Sequence, residues 1–269
     1  MKSSGKYIFA SILIVIGFVF LFVGVGMGAS FSDIRYYKTE SFDMDFSDQK
    51  ITSLDIDFSV GNLIIKRGDS FRVVANDIKE NSTECRVDGN TLIVNCTAKE
   101  FFGMGSFRFD SKIGRITIYI PNDAKFEVVD IDFGVGQLNV SDIEAERFTL
   151  ESGVGQGNLS NITAKHTVIN TGIGEQNFVD CVFNNLNLST GIGAVNYLGD
   201  ITGNSSINGG IGAININLSG SYENYGYSVN KGVGDVRING GQYRSINDST
   251  VTHKISVSNG IGAININMN

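Results

Sequence analysis

A Gly-Val/Ile-Gly motif recurs at a fixed spacing through the second half of this 269-residue chain. The first four intervals between its first glycines are 19 residues each, and the last two lengthen to 22 and 28 residues. A constant period of this kind is typical of architectures that stack one repeat on the next, with insertions tolerated here at 219–227 and 241–253. The first glycines are Gly134, Gly153, Gly172, Gly191, Gly210, Gly232 and Gly260.

Apolar residues alternate with polar ones on both sides of the motif, as they do in half-buried strands. In the first repeat the inward positions are Val129 and Ile131 before the motif, and Leu138 and Val140 after it. The middle residue of the motif, Val135 in this repeat, continues the first phase, so we expect it to face inward. The change of phase requires a bend or bulge at the second glycine, where a residue without Cβ can turn the chain.

These patterns predict an all-β fold, a parallel β-solenoid similar to a β-helix, built as a single stack with about 19 residues per coil. Seven coils at about 4.8 Å would form a stack about 30 Å long. The solenoid occupies 128–269, and an irregular β region, 41–127, precedes it. We expect the two to be continuous, because the sequence of 55–61 returns at 130–136. The last predicted strand ends the chain, so we expect that end of the stack to be covered by 241–253 or by another molecule.

An uncharged apolar stretch near the N-terminus is long enough to cross a bilayer as a helix of about 20 residues. Lys2 and Lys6 precede it, so the positive-inside tendency assigns 1–6 to the cytoplasm, 7–29 to a transmembrane anchor or uncleaved signal, and 30–40 to a linker. The alternative is a cleaved signal peptide, since small residues cluster near its end. We therefore expect a single-pass protein of the cell membrane whose C-terminal domain is extracytoplasmic.

The net charge of −7 disfavours a nucleic acid partner, because phosphate attraction supplies most nonspecific affinity for nucleic acids. His166 and His253, the two histidines, lie on different predicted coils, and their spacing suits neither a metal site nor a nucleophile and its base. We predict no catalytic residue, no cofactor and no metal site.

Four carboxylates are the best candidates for an alternative, enzymatic function. Asp55, Asp57, Asp130 and Asp132 face outward by alternation, and enzymes that cleave polysaccharides use clustered carboxylates. The competing interpretation is a charged outer face that discourages pairing at strand edges. We favour the second interpretation and predict that the protein is not an enzyme.

Two cysteines flank a predicted hairpin whose turn lies near 88–90. A turn at this place puts Cys85 and Cys96 diagonally on one face, so they form either a disulfide outside the cell or two small buried thiols. Cys181 occupies the repeat position of Ile143 and Ile162, so we expect it in the core.

An asparagine recurs one residue before the last inward position of most repeats. The column is predicted either to form a ladder of side-chain amides that stabilises the stack or to present a polar strip to glycans. Its members are Asn139, Asn158, Asn177, Asn196, Asn215 and Asn265, and Arg237 interrupts the series.

An aromatic stretch contains Phe101, Phe102, Met104 and Phe107. It either caps the open end of the solenoid or forms an apolar loop that touches lipid or a partner.

The order of these features resembles the bacterial DUF4097 proteins, a family also called "putative adhesins". The resemblance covers about 40–269: an early strand-Val-Gly-strand unit, an Ile-Tyr-Ile-Pro element at 118–121, and then iterated Gly-Val/Ile-Gly coils. It implies a β-solenoid at the bacterial cell envelope, with some relatives associated with envelope-stress responses, and it brings no catalytic residues.

We therefore expect a noncatalytic, membrane-anchored envelope protein whose solenoid is a binding, scaffolding or stress-sensing surface. The membrane would hold its N-terminal helix, and an envelope protein, a glycan or a lipid would be its further partner. The alternative is a polysaccharide-processing enzyme on a β-helix.

Overall fold

The structure, a computed structural model, describes residues 39–96, 114–242 and 251–268. This part of the chain is β-strand almost throughout, which confirms the predicted all-β class. The strands are β1 Thr39–Asp45, β2 Ser53–Gly68, β3 Arg72–Lys79, β4 Thr83–Asp88, β5 Thr91–Cys96, β6 Arg115–Pro121, β7 Phe126–Ile173, β8 Gln176–Asn184, β9 Leu186–Ile192, β10 Val195–Thr202, β11 Asn204–Ile211, β12 Ile214–Leu218, β13 Tyr225–Val233, β14 Val236–Ile238, β15 Gly241–Gln242, β16 His253–Ile261 and β17 Ile264–Met268.

A single 3-10 turn, Tyr222–Asn224, interrupts these strands. Across the described ranges, no helix has the length and apolar character that crossing a membrane requires. The predicted anchor, 7–29, lies outside the described residues.

The strands form eight coils that stack in parallel. They are coil 1 (51–68), coil 2 (126–144), coil 3 (145–163), coil 4 (164–182), coil 5 (183–201), coil 6 (202–219), coil 7 (225–238) and coil 8 (253–268). Coils 1 to 6 stack in chain order. Parallel strand pairs join coil 1 to coil 2 and each of coils 3 to 5 to the next. Coil 3 lies against coil 2, where the amide of Asn158 donates to Asn139 Oδ1 at 3.0 Å.

Coil 1 lies in the region predicted to be irregular, and its register explains the repeated sequence. Asp55 pairs with Asp130, Val60 with Val135, and Gly61 with Gly136. The other edge of coil 1 is covered by β5 along its first half and by β6 along its second half, both in parallel. Antiparallel strands then extend this end: β4 pairs with β5, β3 with β6, and β1 with β3.

The last two coils do not stack in chain order. Coil 8 pairs with coil 6 on one side and with coil 7 on the other. The final coil of the sequence is therefore an interior coil, so the expectation that its strand forms an open end of the stack is wrong. Coil 7 occupies the outer position instead.

The second glycine of the motif turns the chain at a sharp corner. Its φ lies between +137° and +149° in every coil from 2 to 8, a region that residues with a Cβ rarely adopt. The inward phase shifts by one residue there, as predicted: Ile131 is buried before the corner and Leu138 after it. A Cβ on Gly174 would overlap the carbonyl oxygen of Gly155, so the corner also depends on the close approach of neighbouring coils.

The middle residue of the motif faces outward, and the expectation that it faces inward is wrong. It stands at the vertex of the corner, where alternation no longer holds, and its exposure ranges from 38% at Val60 to 70% at Val233. The column forms an aliphatic ridge along the stack, each side chain above its equivalent. Its members are Val60, Val135, Val154, Ile173, Ile192, Ile211, Ile261 and Val233.

We predict that Gly174→Ala lowers the free energy of unfolding by about 3 kcal/mol or more, because alanine meets both an unfavourable φ and a carbonyl oxygen. The matched control is Gly89→Ala in the β4–β5 turn, where φ is +60° and no atom lies within 4 Å of the added Cβ. That change should cost about 1–2 kcal/mol. Urea unfolding of the full chain measures both, and equal losses would contradict the importance of close approach at the corner.

Candidate binding surface

A shallow groove runs along the outside of coils 2 to 5, just before the corner. Its volume is about 460 Å³. Three neighbouring columns line it: an outward polar column, a largely buried column next to it, and the first glycines of the motif. The polar column consists of Asp132, Glu151, Asn170 and Ser189, the second column of the buried Phe133, Thr171 and Thr190 and the half-buried Ser152, and the glycine column of Gly134, Gly153, Gly172 and Gly191.

Glycine keeps the floor of this groove low. A Cβ on Gly153 would lie 2.5 Å from the carbonyl oxygen of Gly134, so the coils are too close there for a side chain. The same closeness leaves bare backbone between the polar column and the aliphatic ridge. A ligand can therefore approach the sheet more closely at the groove than elsewhere on this face.

Two threonines below the groove were not recognised in the sequence. Thr171 and Thr190 are only 8% and 9% exposed, and neither Oγ1 has a hydrogen-bond partner among the described residues. The Oε1 of Gln176 is also buried without a partner there. Unpaired buried oxygens are uncommon in proteins. Among the described residues, these oxygens therefore have hydrogen-bonding capacity that no protein group uses. The sequence signal was present, since Thr171 and Thr190 stand one period apart.

The outward face that contains the groove divides into two halves of different charge. Coils 1 to 3 carry Asp55, Asp57, Asp130, Asp132 and Glu151. At the equivalent positions, coils 4 to 8 carry Val168 and otherwise short neutral polar side chains, which we call the polar face. The polar face consists of Asn170, Asn187, Ser189, Ser206, Asn208, Ser256, Ser258, Ser228 and Asn230.

Burial, together with the charges of neighbouring carboxylates, raises the pKa of two aspartates on this face. Asp55 pairs with Asp130 and Asp57 with Asp132 across coils 1 and 2. Burial is the main cause for Asp57, whose pKa is also raised by the charges of Asp132 and Asp55. Burial likewise raises the pKa of Asp130, with further contributions from Asp55, Glu151 and Asp132. The cluster therefore costs stability when it is fully ionised.

We predict that Asp130→Asn raises the free energy of unfolding at neutral pH by about 0.5 kcal/mol, the size typical of exposed charge interactions. A raised pKa means that the folded state holds its proton to a higher pH than the unfolded state. Stability therefore falls as pH rises from the ordinary value of 3.8 through the raised value, and the full penalty applies above it. The gain should disappear below pH 3.8.

The control for this prediction is Asp142→Asn. The side-chain amide of Asn161 donates to Asp142 Oδ1 at 2.7 Å and holds the pKa of Asp142 below its ordinary value. This ionised carboxylate stabilises the fold, so its replacement should not raise stability at neutral pH. Thermal unfolding across pH measures both variants, and a stability gain of Asp130→Asn that persists below pH 3 would contradict the repulsion.

The predicted asparagine column forms a continuous ladder on the other side of the corner. Every side-chain amide after Asn139 donates to the Oδ1 of its equivalent in the preceding coil of the stack, at distances between 2.8 and 3.2 Å. The six residues are half-buried. The ladder begins at Asn139, which pairs with Ile64, and ends at Asn265, which pairs with Arg237. Because the amides satisfy one another, this geometry favours the stabilising role over a glycan strip.

We predict that Asn177→Ala lowers the free energy of unfolding by about 2 kcal/mol, because it removes one donated and one accepted bond. Asn139→Ala at the end of the ladder removes one bond and should cost about 1 kcal/mol. Chemical unfolding of both variants gives the comparison. Equal costs would mean that ladder bonds do not contribute individually.

A second column of special backbone conformation was missed in the sequence. Asp142, Asn161 and Asp180 all have positive φ, between +51° and +61°, and they are one period apart. Aspartate and asparagine tolerate this conformation better than other residues with a side chain. The period of 19 residues was visible there, but without glycine it did not indicate a corner.

The cysteines are free thiols in the structure. Cys85 pairs with Val94 and Cys96 with Thr83, so the two cysteines are diagonal on one face of the hairpin, as expected. Burial is the main cause that raises the pKa of Cys85 to about 12, which disfavours the thiolate needed for disulfide formation. The disulfide stays a prediction. Cys181 is fully buried, which confirms its expected place in the core.

The remaining candidates are the aromatic stretch and a possible metal site. The predicted apolar loop with Phe101, Phe102, Met104 and Phe107 lies outside the described residues. Within 39–96, 114–242 and 251–268, no group of three or more histidine, cysteine or carboxylate side chains could hold a metal ion.

The fold and surface together define an all-β protein of stacked parallel coils, similar to a β-solenoid. A sequence model of the DUF4097 family, described as Toastrack DUF4097, matches residues 51–247. This chain therefore belongs to the DUF4097 family, and the resemblance found in the sequence is confirmed.

Solved structures with a similar fold come from species of Clostridium, Bacteroides and Parabacteroides. One is named a "putative cell adhesion protein" from Clostridium sporogenes, with 17% identity, TM-score 0.40, and coverage of 86% of this chain and 100% of that one. A "putative adhesin" from Bacteroides fragilis has 16% identity and TM-score 0.37, with coverage of 85% and 98%. A "putative lipid binding protein" from Parabacteroides distasonis has 13% identity and TM-score 0.37, with coverage of 85% and 96%.

These likenesses do not extend to function at such identities and TM-scores. No curated protein matches the chain.

Proposed function

We propose that this protein is a noncatalytic, membrane-anchored envelope protein that binds an extended neutral glycan along the groove and the polar face. The observation that carries this proposal is the column arrangement of short hydroxyl and amide side chains beside a glycine floor. Neighbouring coils are about 4.8 Å apart, so equivalent donors and acceptors recur at that spacing. A chain of sugars offers hydroxyl groups in a similarly repetitive way and can bond to several coils at once.

The chemistry of the surface selects among the possible partners. Serine and asparagine side chains both donate and accept hydrogen bonds, which suits hydroxyl groups. The acidic half of the face and the net charge of −7 repel polyanions. Val168 is the one apolar side chain among the outward positions of coils 4 to 8 that form this face, so the face offers little hold to a lipid tail. A neutral glycan fits these conditions better than a nucleic acid, an anionic polymer or a lipid.

The membrane part of the proposal rests on the sequence alone. The uncharged segment 7–29 follows two lysines, so an anchor there would place the coils outside the membrane. At that location the stack would meet the polysaccharides of the envelope.

Catalysis by the carboxylates of this face has little support. The carboxylates of coils 1 and 2 form columns on one exposed face, where like charges repel each other. Their arrangement fits a face that resists edge pairing, and the raised pKa of Asp57 and Asp130 follows from crowding and burial.

Cosedimentation of the detergent-solubilised full chain with insoluble chitin and cellulose tests the proposal. The variant Ser189→Tyr places a large side chain over the groove and should weaken binding at least tenfold. Its matched control is Ser160→Tyr, at an outward strand position in coil 3 on the other side of the corner, which should bind like the original protein.

Two outcomes would contradict the proposal. Equal binding of Ser189→Tyr and the original protein would show that the groove is not the site, and no binding to either polysaccharide would remove neutral structural glycans as ligands. The same samples are assayed for new reducing ends. Their release would contradict the noncatalytic role and support the enzyme alternative.

A further inference from the structure

The insertion of coil 8 between coils 6 and 7 is the least expected feature of the stack. Along the chain, coil 7 follows coil 6, yet the backbone N–H of Gly212 in coil 6 donates to Ile261 O in coil 8 at 2.8 Å. In turn, the N–H of Gly262 in coil 8 donates to Val233 O in coil 7 at 2.8 Å. Coil 8 therefore fills a slot whose two walls precede it in the sequence.

One wall of the slot has the same sequence as the coil that fills it. Residues 210–217 and 260–267 both read Gly-Ile-Gly-Ala-Ile-Asn-Ile-Asn. The two segments pair in register, and this identity produces two side-chain ladders at the interface. Asn265 donates to Asn215 Oδ1, and Asn267 donates to Asn217 Oδ1, both at 2.8 Å.

Coil 7 would be a poorer neighbour for coil 6. Arg237 of coil 7 pairs with Asn265 of coil 8, which in turn pairs with Asn215 of coil 6. If coil 7 stacked directly on coil 6, Arg237 would lie opposite Asn215 and the amide ladder would end one coil earlier. With coil 8 between them, the ladder continues and Arg237 lies at the end of the stack. Sequence identity thus explains why coil 8 takes the inner position.

Coil 7 is also tied to the body of the stack without the help of coil 8. The hydroxyl of Tyr225 donates to Asp200 Oδ1 at 3.1 Å, and the backbone N–H of Gly220 donates to the same oxygen at 3.0 Å. These bonds hold the start of coil 7 next to coils 5 and 6. The slot consequently has coil 6 as one wall and coil 7, tethered at its start, as the other, and coil 8 is the element that completes it.

We propose that this slot also accepts coil 8 of a second copy of the chain. Coil 7 precedes coil 8 in the sequence but lies on the far side of it in the stack. During folding, the strands of coil 6 therefore have an unpaired edge until a coil 8 pairs with them. Coil 8 of another copy has the same sequence and makes the same contacts. An element that makes the same contacts in another copy meets the condition for exchange between copies. The exchanged pair is a dimer, and it does not depend on the proposed glycan binding.

Cross-linking between two differently labelled full chains tests the exchange. Asn217→Cys is made in a ¹⁵N-labelled chain and Asn267→Cys in an unlabelled chain, so that the pair can bond only between copies. The two are unfolded together, refolded at high concentration and oxidised with oxidised glutathione. Mass spectrometry should find a disulfide peptide joining 217 of one chain to 267 of the other, at least tenfold above chains refolded separately and then mixed.

The matched control is the pair Asn196→Cys and Asn215→Cys. These residues are also ladder partners, at 2.9 Å, but coils 5 and 6 stay within one copy when coil 8 is exchanged. This pair should give no bond between copies after the same treatment. A 217–267 bond no more abundant than the control bond would overturn the proposal.

A measurement on the unmodified chain guards against variants that fail to fold. After refolding at increasing protein concentration, light scattering in detergent, corrected for the micelle, should show a growing dimer fraction. The dimer should persist for hours after dilution, because its separation requires coil 8 to leave the slot. A monomer at every refolding concentration would overturn the exchange.

Discussion

The close approach of neighbouring coils at the motif glycines is the constraint on which the rest of the structure depends. At the second glycine the backbone takes a φ near +140°, and the carbonyl oxygen of the coil below occupies the space that a Cβ would need. In coils 2 to 8 both of these positions are glycine, and in coil 1 the first is Ser59. Close approach therefore fixes the register between coils, because each coil has to place its corner over the corner of its neighbour.

In-register stacking turns each sequence position into a column, and the chemistry of the column decides its effect. Asparagine both donates and accepts, so its column becomes a ladder in which interior amides are paired on both sides. Aspartate only accepts when ionised, so Asp57 and Asp132 repel each other in the same geometry. The short neutral residues of the polar face do not repel one another, and apart from the bond from Ser206 to Asn187 Oδ1 they form no ladder like that of the asparagine column, so we propose that they are available to a ligand. The proposed binding surface and the stabilising ladder thus both result from in-register stacking, and they differ only in the residues that are stacked.

Much of this organisation could be predicted from the sequence because a short period repeats the same information several times. The all-β class, the bend at the second glycine and the inward residues on both sides of it followed from spacing and alternation. The orientation of Val135 was wrong because apolar character was taken to mean burial, whereas a corner breaks the alternation that links the two.

The order of the last coils could not be obtained from spacing. Chain order is the simplest arrangement for a repeat array, and the preference of coil 6 for coil 8 depends on which side chains meet across the interface. The identical segments at 210–217 and 260–267 were visible in the sequence. Only their pairing in the structure shows that coil 6 stacks against the coil whose sequence matches its own. The groove was missed for a related reason, since glycines were considered for their backbone conformation and not for the space that they leave.

The most direct test of the account is a backbone nuclear Overhauser experiment on the full chain in solution, directed at the corner glycines. The account predicts a strong contact between Gly212 of coil 6 and Gly262 of coil 8, whose backbones are adjacent, and a second contact between Gly262 and Gly234 of coil 7. A strong contact between Gly212 and Gly234, with none between Gly212 and Gly262, would restore chain order and contradict the account.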